Sequence, residues 1–418
     1  MGLVPAAALG VGGMMGAGLY TLLGLAAASS GTWLPVSFLL GAVAAVFSVY
    51  SYAKLGATFP SRGGAARFII EGFGRTTIAG GINVFQYVAY LIATALYAAG
   101  FSEYVAALCG GNLPEAGKRL VAVGVVLIFT LVNLVGAKLV GKSESVIIGI
   151  ELAIIVGFVA VASFHTEPAR LASEPGSLVG IITATAILYV TYQGFGVVTN
   201  AAGTMDRPRR NLPRAMFLAL AVVTVVYVVV STLVVMVLPL ATIQADAGHT
   251  LADAGRAIMG TTGFVIIACA ALLATASAVN ATLFAASNVS ADVARNHQMS
   301  QSLARTVWRD GTVALFMSGA TVAVLVVFFP LSIVGQMASL AFLFVYAAVS
   351  VGHLRIRAKT GAKAWPLWAA VLINAVLFVM LFVNAAKTSP AGAAFVIVAF
   401  AGCVTFEAVF RHQQGVPQ

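Results

Sequence analysis

Two short stretches decide how this chain is read. Gly12-Gly13-Met14-Met15-Gly16-Ala17-Gly18 interrupts the first long apolar run, and Tyr192-Gln193-Gly194-Phe195-Gly196 interrupts another near the middle of the chain. Counted in apolar runs, they fall five spans apart, in corresponding positions of two five-helix halves. A matched pair of glycine-interrupted segments is the sequence pointer to membrane proteins built from inverted repeats with broken helices. Small residues also let membrane helices approach closely. Either stretch alone therefore reads as tight packing or as a break, and it is the pairing that favours breaks.

Working outward, the runs around these stretches approach the roughly 20 residues that span a bilayer. Of 418 residues, 61% are hydrophobic and 9% charged, against roughly 25% charged in ordinary soluble domains. Almost nothing of such a chain could cover itself in water. Spans read at roughly 4–28, 33–57, 78–108, 120–137, 145–164, 176–202, 214–240, 261–290, 311–329, 331–352, 365–385 and 392–410. The connections between them are too short for a soluble domain. The expectation is an all-α integral membrane protein of about twelve transmembrane helices with a 5+5 inverted repeat and broken helices one and six. The first repeat covers 1–164 (spans one to five) and the second 176–352 (spans six to ten). Spans eleven and twelve follow over 365–410.

The formal charge of +10 would suit a nucleic-acid partner, but its distribution argues against one. With the N-terminus inside, 18 of the 23 Lys and Arg fall on the cytoplasmic side, Arg62, Lys138, Lys142, Arg295 and Arg309 among them. The outside keeps Lys118, Arg119, Arg170, Arg256 and Lys387. Basic residues mark cytoplasmic loops, so both termini are expected in the cytoplasm and the protein in the cell membrane. The turn Asp206-Arg207-Pro208-Arg209-Arg210 orients the chain and faces anionic lipid. The first 28 residues lack a basic n-region and read as a first helix, not a cleaved signal peptide. Cys109, Cys269 and Cys403 are scattered, with no disulfide or metal spacing. None of His165, His249, His297, His353 and His412 is placed mid-span or clustered. No cofactor or metal is expected.

A helix broken at the bilayer midplane frees N–H groups on one half and C=O groups on the other, and lipid satisfies neither. Freed N–H groups at Ala17, Gly18 and Leu19 would attract a carboxylate through hydrogen bonds and the helix dipole. Freed carbonyls at Met14, Val190 and Gln193 would attract an ammonium group. Donors facing acceptors suit the zwitterion of an α-amino acid. The expected substrate-binding set is therefore Met14, Gly16, Ala17, Gly18, Leu19, Val190, Gln193 and Gly194.

These residues carry a resemblance. Gly12 to Tyr20 (GGMMGAGLY) resembles the opening helix of the amino acid–polyamine–organocation (APC) permeases. Tyr52-Ala53-Lys54-Leu55-Gly56 with Pro60-Ser61-Arg62-Gly63-Gly64-Ala65 is similar to that family's YAxLG…PxxGG segment. Gly194 to Ala215 resembles its signature leaving span six, and Val279 to Asn296 its element near the end of span eight. The matches are collinear over nearly the whole chain. They are most similar to the proton-coupled, broad-specificity amino acid transporter branch, which shares Gly196 where many members carry glutamate after GF.

One residue departs from that branch. Where it reads lysine-leucine in span five, this chain reads Glu151-Leu152. Counted from Ser145, Glu151 lies about 9 Å into the membrane at 1.5 Å per helical residue. A charge there costs at least about 2.5–3.5 kcal/mol unless it faces a cavity or a partner. Either Glu151 is a neutral acid that glues helices, or it carries a proton or binds a cation. The resemblance sharpens the second reading. In sodium-coupled relatives the corresponding place holds sodium between spans one and eight, and in the proton-coupled branch a lysine ammonium stands in for the ion. Glu151 is expected to reach span one near Val11–Gly12 and Ser277 on span eight, which makes Glu151 and Ser277 the proton- or cation-coupling pair.

The other polar residues read more plainly. Lys54, Glu144 and Glu407 sit at span ends, where snorkelling explains them; Glu103 reads as a surface group and Gln86 as helix glue, while Gln193 sits at a break. The expected function is uptake of amino acids by a proton-coupled secondary transporter, a small zwitterion being the substrate and H+ the coupling ion. The rivals are sodium coupling, polyamine cargo and a non-transporting sensor. No filter sequence favours a channel, and no nucleophile–base constellation favours an enzyme.

Overall fold

The computed structural model describes residues 1–418 apart from 62–63, 112, 135–136, 201, 246, 296–304, 309–310 and 415–418. Arg62, Gly63, Asn296, His297 and Arg309 therefore lie outside the described residues, as do the side chains of Ala17, Lys138, Lys142, Glu144 and Arg295.

Among the described residues sixteen α-helices follow in order: α1 (Leu3–Thr21), α2 (Leu23–Ser30), α3 (Leu34–Thr58), α4 (Ala65–Phe73), α5 (Thr77–Leu108), α6 (Glu115–Asn133), α7 (Ala137–Ala162) and α8 (Leu178–Leu188). Then come α9 (Phe195–Asn200), α10 (Pro208–Val237), α11 (Leu240–Ala245), α12 (Thr250–Arg295), α13 (Val313–Phe328), α14 (Leu331–Thr360), α15 (Ala364–Thr388) and α16 (Pro390–Gln414). A short antiparallel pair, Thr306–Trp308 with Gly311–Thr312, precedes α13. Among the described residues, nine helical segments are long and apolar enough to cross a membrane, and Val146–Ala162 and Val313–Phe328 are shorter apolar helices. With α6, they match the twelve expected spans.

Local chemistry sets many of the boundaries. Thr76, Ser177 and Thr312 cap α5, α8 and α13, each accepting a backbone N–H three residues on. Gly361 closes α14 in the left-handed conformation at φ 62°. A glycine at φ 62°, Gly260, also bends α12, separating the stretch beginning at Thr250 from the span proper. The amphipathic α4 and the six-residue α11 were not legible as spans, because neither is long enough to be one.

Burial sorts the helices. α5 and the interrupted span over Leu178–Thr199 are buried almost all round, and α1 and α14 have most of their surface covered. α15 and α16 keep most of theirs open, as helices whose outer faces meet lipid do. α1 packs against α10 and α12, α5 against α12, α14 and α16, and α3 against α10.

Three expectations need correction. α7 begins at Ala137, not near 145, so Glu151 sits 14 residues from its start, about 21 Å along the axis. His353 lies within α14, fully buried, with Nδ1 2.9 Å from the Ser51 hydroxyl and Nε2 2.8 Å from that of Thr360. The helix runs eight residues past the expected span, which draws the histidine inside. Glu407 does not snorkel: it is fully buried and accepts from Arg411 Nε at 2.7 Å. Arg411 also donates to the Arg75 carbonyl at 2.7 Å, so the pair pins the end of α16 to the start of α5.

Removing one partner of a buried ion pair strands a charge, at a cost of about 3–5 kcal/mol. Arg411→Met should therefore lower the melting temperature in detergent markedly, while the double variant Glu407→Gln/Arg411→Met should recover most of the loss. Equal melting of Arg411→Met and wild type would show that the pair bears no load.

Candidate functional site

The centre of the molecule is a seam between α1 and the interrupted sixth span. α8 stops at Leu188, a 3₁₀ turn occupies Tyr189–Tyr192, and the chain turns through Gln193 and Gly194 before α9. Gly13 and Gly194 meet backbone to backbone: a Cβ built on Gly13 would lie 3.2 Å from the Gly194 Cα. A Cβ on Gly16 would fall 2.7 Å from the Ala274 carbonyl oxygen of α12. One on Gly18 would overlap Thr191 and sit 2.6 Å from the Tyr227 hydroxyl. A methyl at Gly16 or Gly18 would overlap its neighbours and one at Gly13 would be tight, so these glycines bring three backbones within reach of one another.

The break in span one lies elsewhere than its sequence implied. α1 is helical through Gly12–Gly18 to Thr21, and the interruption falls at Leu22 before α2 starts. The N–H groups of Ala17, Gly18 and Leu19 thus belong to the helix, and the glycine run serves the close approach just described. Leu22 is fully buried, and its side chain occupies the space that a Cβ on Gly335 would enter. The break in span six stands where the sequence placed it.

Hydroxyl groups satisfy that second break. Ser339 donates to the Ile187 carbonyl and Tyr346 to the Gln193 carbonyl, and Tyr192 donates to Phe38 O at 2.8 Å. Across the seam, the Tyr227 hydroxyl donates to the Met14 carbonyl at 2.6 Å and lies 3.4 Å from the Thr191 carbonyl. Val190 N–H faces Ser339 Oγ at 3.4 Å. Gln193 is fully buried and donates to the Tyr97 hydroxyl at 2.8 Å. Its amide oxygen and the Thr191 hydroxyl have no hydrogen-bond partner. Of the expected set, Met14, Gly18, Gln193 and Gly194 meet at this seam, joined by Gly16 against α12, while Leu19 is packed in the core.

Glu151 is 3% exposed, close to the middle of α7. The hydroxyl beside it is that of Tyr20, near the end of α1, with Tyr227 also in its surroundings. Neither Tyr20 Oη nor Glu151 Oε1 has a hydrogen-bond partner here. Ser277 is partly exposed on α12, and no hydrogen bond among the described residues joins it to Glu151. Glu151 thus meets α1 through the side chain of Tyr20, toward the end of the helix. Tyr104 donates to the Tyr20 carbonyl at 2.8 Å, fixing this part of α1 two residues before the interruption.

Sequence reasoning missed Tyr20, Tyr97, Tyr227, Tyr346 and Thr191. A signal existed for Tyr227, the single phenol in the run Val-Val-Tyr-Val-Val-Val. A buried tyrosine hydroxyl needs a partner, and a broken helix supplies one.

A membrane protein of helical spans, two of them interrupted and crossing at its centre, has the fold of a solute transporter. In a crystal structure, the manganese transporter of Eremococcus coleocola shares that fold, with a TM-score of 0.64 at 14% identity over 98% of this chain and 94% of that one. The model of the family described as amino acid permease matches residues 1–406, and the chain belongs to that family. It is 30% identical over 361 residues to an inner membrane transport protein of Escherichia coli, covering 85% of this chain and 84% of that protein. To a branched-chain amino acid permease of Bacillus subtilis it is 24% identical, over 84% of this chain and 79% of that protein.

The seam makes a sharp prediction. Gly18→Ala should push α1 off Thr191 and Tyr227, lowering the melting temperature and weakening substrate binding at least tenfold. Gly124→Ala, where nothing lies within 4 Å of the new methyl, should match wild type in both. Comparable binding by the two variants, measured by ligand-dependent thermal shift, would remove the site from the seam.

Proposed function

We propose that this permease is a secondary active transporter that takes up amino acids by alternating access, coupled to protons through Glu151. Glu151 carries the proposal: a fully buried carboxyl in the middle of α7, beside the Tyr20 hydroxyl and close to the Leu22 interruption. A carboxylate held in low dielectric without a counter-ion is costly. Protonated, Glu151 would be neutral and could donate a hydrogen bond to the Tyr20 hydroxyl beside it. Ionised, it draws in a donor or a cation, so gain and loss of the proton favour different arrangements of α1 against α7.

In this reading the amino acid lies between Met14, Gly16, Ala17, Gly18 and Leu19 of α1 and Val190, Gln193 and Gly194 of span six once the seam parts. The Met14 and Thr191 carbonyls, both near the Tyr227 hydroxyl, would receive the ammonium group. The Thr191 hydroxyl, unpaired here and lying against Gly18, would donate to the carboxylate. The two repeats would run over 1–164 and 176–352, with 365–410 appended, and both termini would face the cytoplasm of a cell membrane. A polyamine has no carboxylate to offer this donor side. If sodium were the coupling ion, Glu151 and Ser277 would help to hold it.

Two measurements test the proposal. Amino acid amides and N-acetyl amino acids should compete at least tenfold less well than the parent zwitterion, since each lacks one charge the seam reads. Equal competition by either blocked form would refute zwitterion recognition. In vesicles, Glu151→Gln should still bind and exchange substrate at equal pH but fail to concentrate it under an imposed proton gradient. Wild-type accumulation that follows sodium at clamped pH would assign the ion as Na+. Proton-driven accumulation left intact in Glu151→Gln would end the role of this residue.

A further inference from the structure

Below the break, four elements turn uncharged polar groups toward one buried spot. Gln86, Tyr90 and Tyr97 recur along a single face of α5, at spacings of four and seven residues. Tyr52 comes from α3, Tyr346 from α14, and Gln193 with Gly196 from span six. Tyr52, Tyr90, Tyr97, Tyr346, Gln86 and Gln193 are each at most 3% exposed.

The spot is defined by Gly196. A Cβ built there meets only the Tyr90 and Tyr346 hydroxyls, at 3.6 and 3.7 Å, both ordinary contacts. Tyr346 sits at the centre of the surrounding rings, 5.2 Å from Tyr52 and 4.9 Å from Phe195 between centroids. Gln86 faces the Tyr90 hydroxyl one helical turn away, and Gln193 gives an amide hydrogen to Tyr97.

These bonds leave groups over. The Tyr52 hydroxyl and the amide oxygens of Gln86 and Gln193 have no hydrogen-bond partner. Tyr97 accepts from Gln193 and keeps its own O–H to give. The spot thus offers O–H donors and amide-oxygen acceptors side by side, with no charged side chain in the ring. Buried polar groups in native proteins are nearly always paired, and several orphans at one place call for a guest that both donates and accepts.

We propose that this ring is the side-chain subsite of the transporter, and that it selects amino acids with a hydroxyl or carboxamide side chain over aliphatic, cationic and anionic ones. The inference rests on the amino acid reading given above and adds the class of side chain to it. Gly196 lies one helical turn beyond Gln193, so a guest whose backbone is held at the seam reaches the ring with its side chain. An ammonium or guanidinium side chain would find no carboxylate there, and a carboxylate side chain no cation. An aliphatic side chain of the same shape would leave every orphan unpaired. A site that hydrogen-bonds a hydroxyl or amide rejects the analogue lacking it far more strongly than an apolar pocket rejects an extra methylene.

The test compares near-isosteres on the full-length protein in reconstituted vesicles: threonine with valine, asparagine with leucine, and glutamine with lysine and glutamate. Inhibition of counterflow and ligand-dependent thermal shift are the readouts. The polar uncharged member of each set should bind at least about tenfold tighter. The gap should shrink in Tyr52→Phe, which removes one orphan and keeps the ring, and in Gly196→Ala, whose methyl the site admits at ordinary contact. Equal binding of threonine and valine by wild type would mean that the ring holds only water, and would overturn the subsite while leaving amino acid transport standing. Preference for lysine or leucine would overturn it equally. Binding of none of these amino acids would overturn the transport reading itself and the subsite with it.

Discussion

Gly13 and Gly194 lie against each other with no side chain between them, and the arrangement of the core depends on that contact. It lets α1 and the sixth span cross at backbone distance. A single methyl on either glycine would meet main chain, which cannot swing aside as a side-chain end can. Gly10 against Ala219 and Gly16 against Ala274 and Ala278 extend the same close fit to α10 and α12. Within a membrane, where apolar surface gains nothing by leaving lipid, close packing and hydrogen bonds hold helices together. The seam supplies the first, and the hydroxyls along it supply the second.

Those hydroxyls answer the problem that the interrupted span creates. A stretch of non-helical backbone at membrane depth needs partners from protein or a wet cavity. Serine and tyrosine provide them here: Ser339 for Ile187, Tyr346 for Gln193, and Tyr227 bridging toward Thr191 from the carbonyl of Met14. Tyrosine suits the task because its ring packs like a phenylalanine while its hydroxyl reaches a carbonyl on another helix. Among the buried polar groups left unpaired, those on Thr191, Gln193, Tyr52, Gln86, Tyr20 and Glu151 gather around the two interrupted spans.

Much of this was legible in the residues. Span number and order follow from run length, because hydrophobic thickness sets a minimum that few other elements meet. The position of the break in span six follows from Gln193-Gly194 inside an apolar run. Misplacing the break in span one has a physical cause: glycine serves equally to end a helix and to let one approach another, and only the neighbour decides. Leu22 carries no sign of its role, since the break depends on what Gly335 of a distant helix leaves open. Glu407 and Arg411 look like a solvated end because their burial, unlike their i,i+4 pairing, depends on how α16 packs against Gly80 of α5. The depth of Glu151 was misjudged because α7 starts within polar residues that a hydropathy reading trims away. Glu151 itself stood out, since an acid in an apolar run has few structural excuses.

Leu22 also sets the mechanics of the outer half of the first span. α2 has eight residues and so reaches about 12 Å beyond the joint. A rotation of about 10° at Leu22 would carry its far end by about 2 Å, while α1, clamped by glycine against three neighbours, stayed in place. Gly24 of α2 presses on the backbone at Ala247 and on Thr250, so that swing would drag along the segment ahead of the Gly260 bend. One residue's departure from helical form would therefore turn a small angular change in the core into a coordinated displacement at the rim.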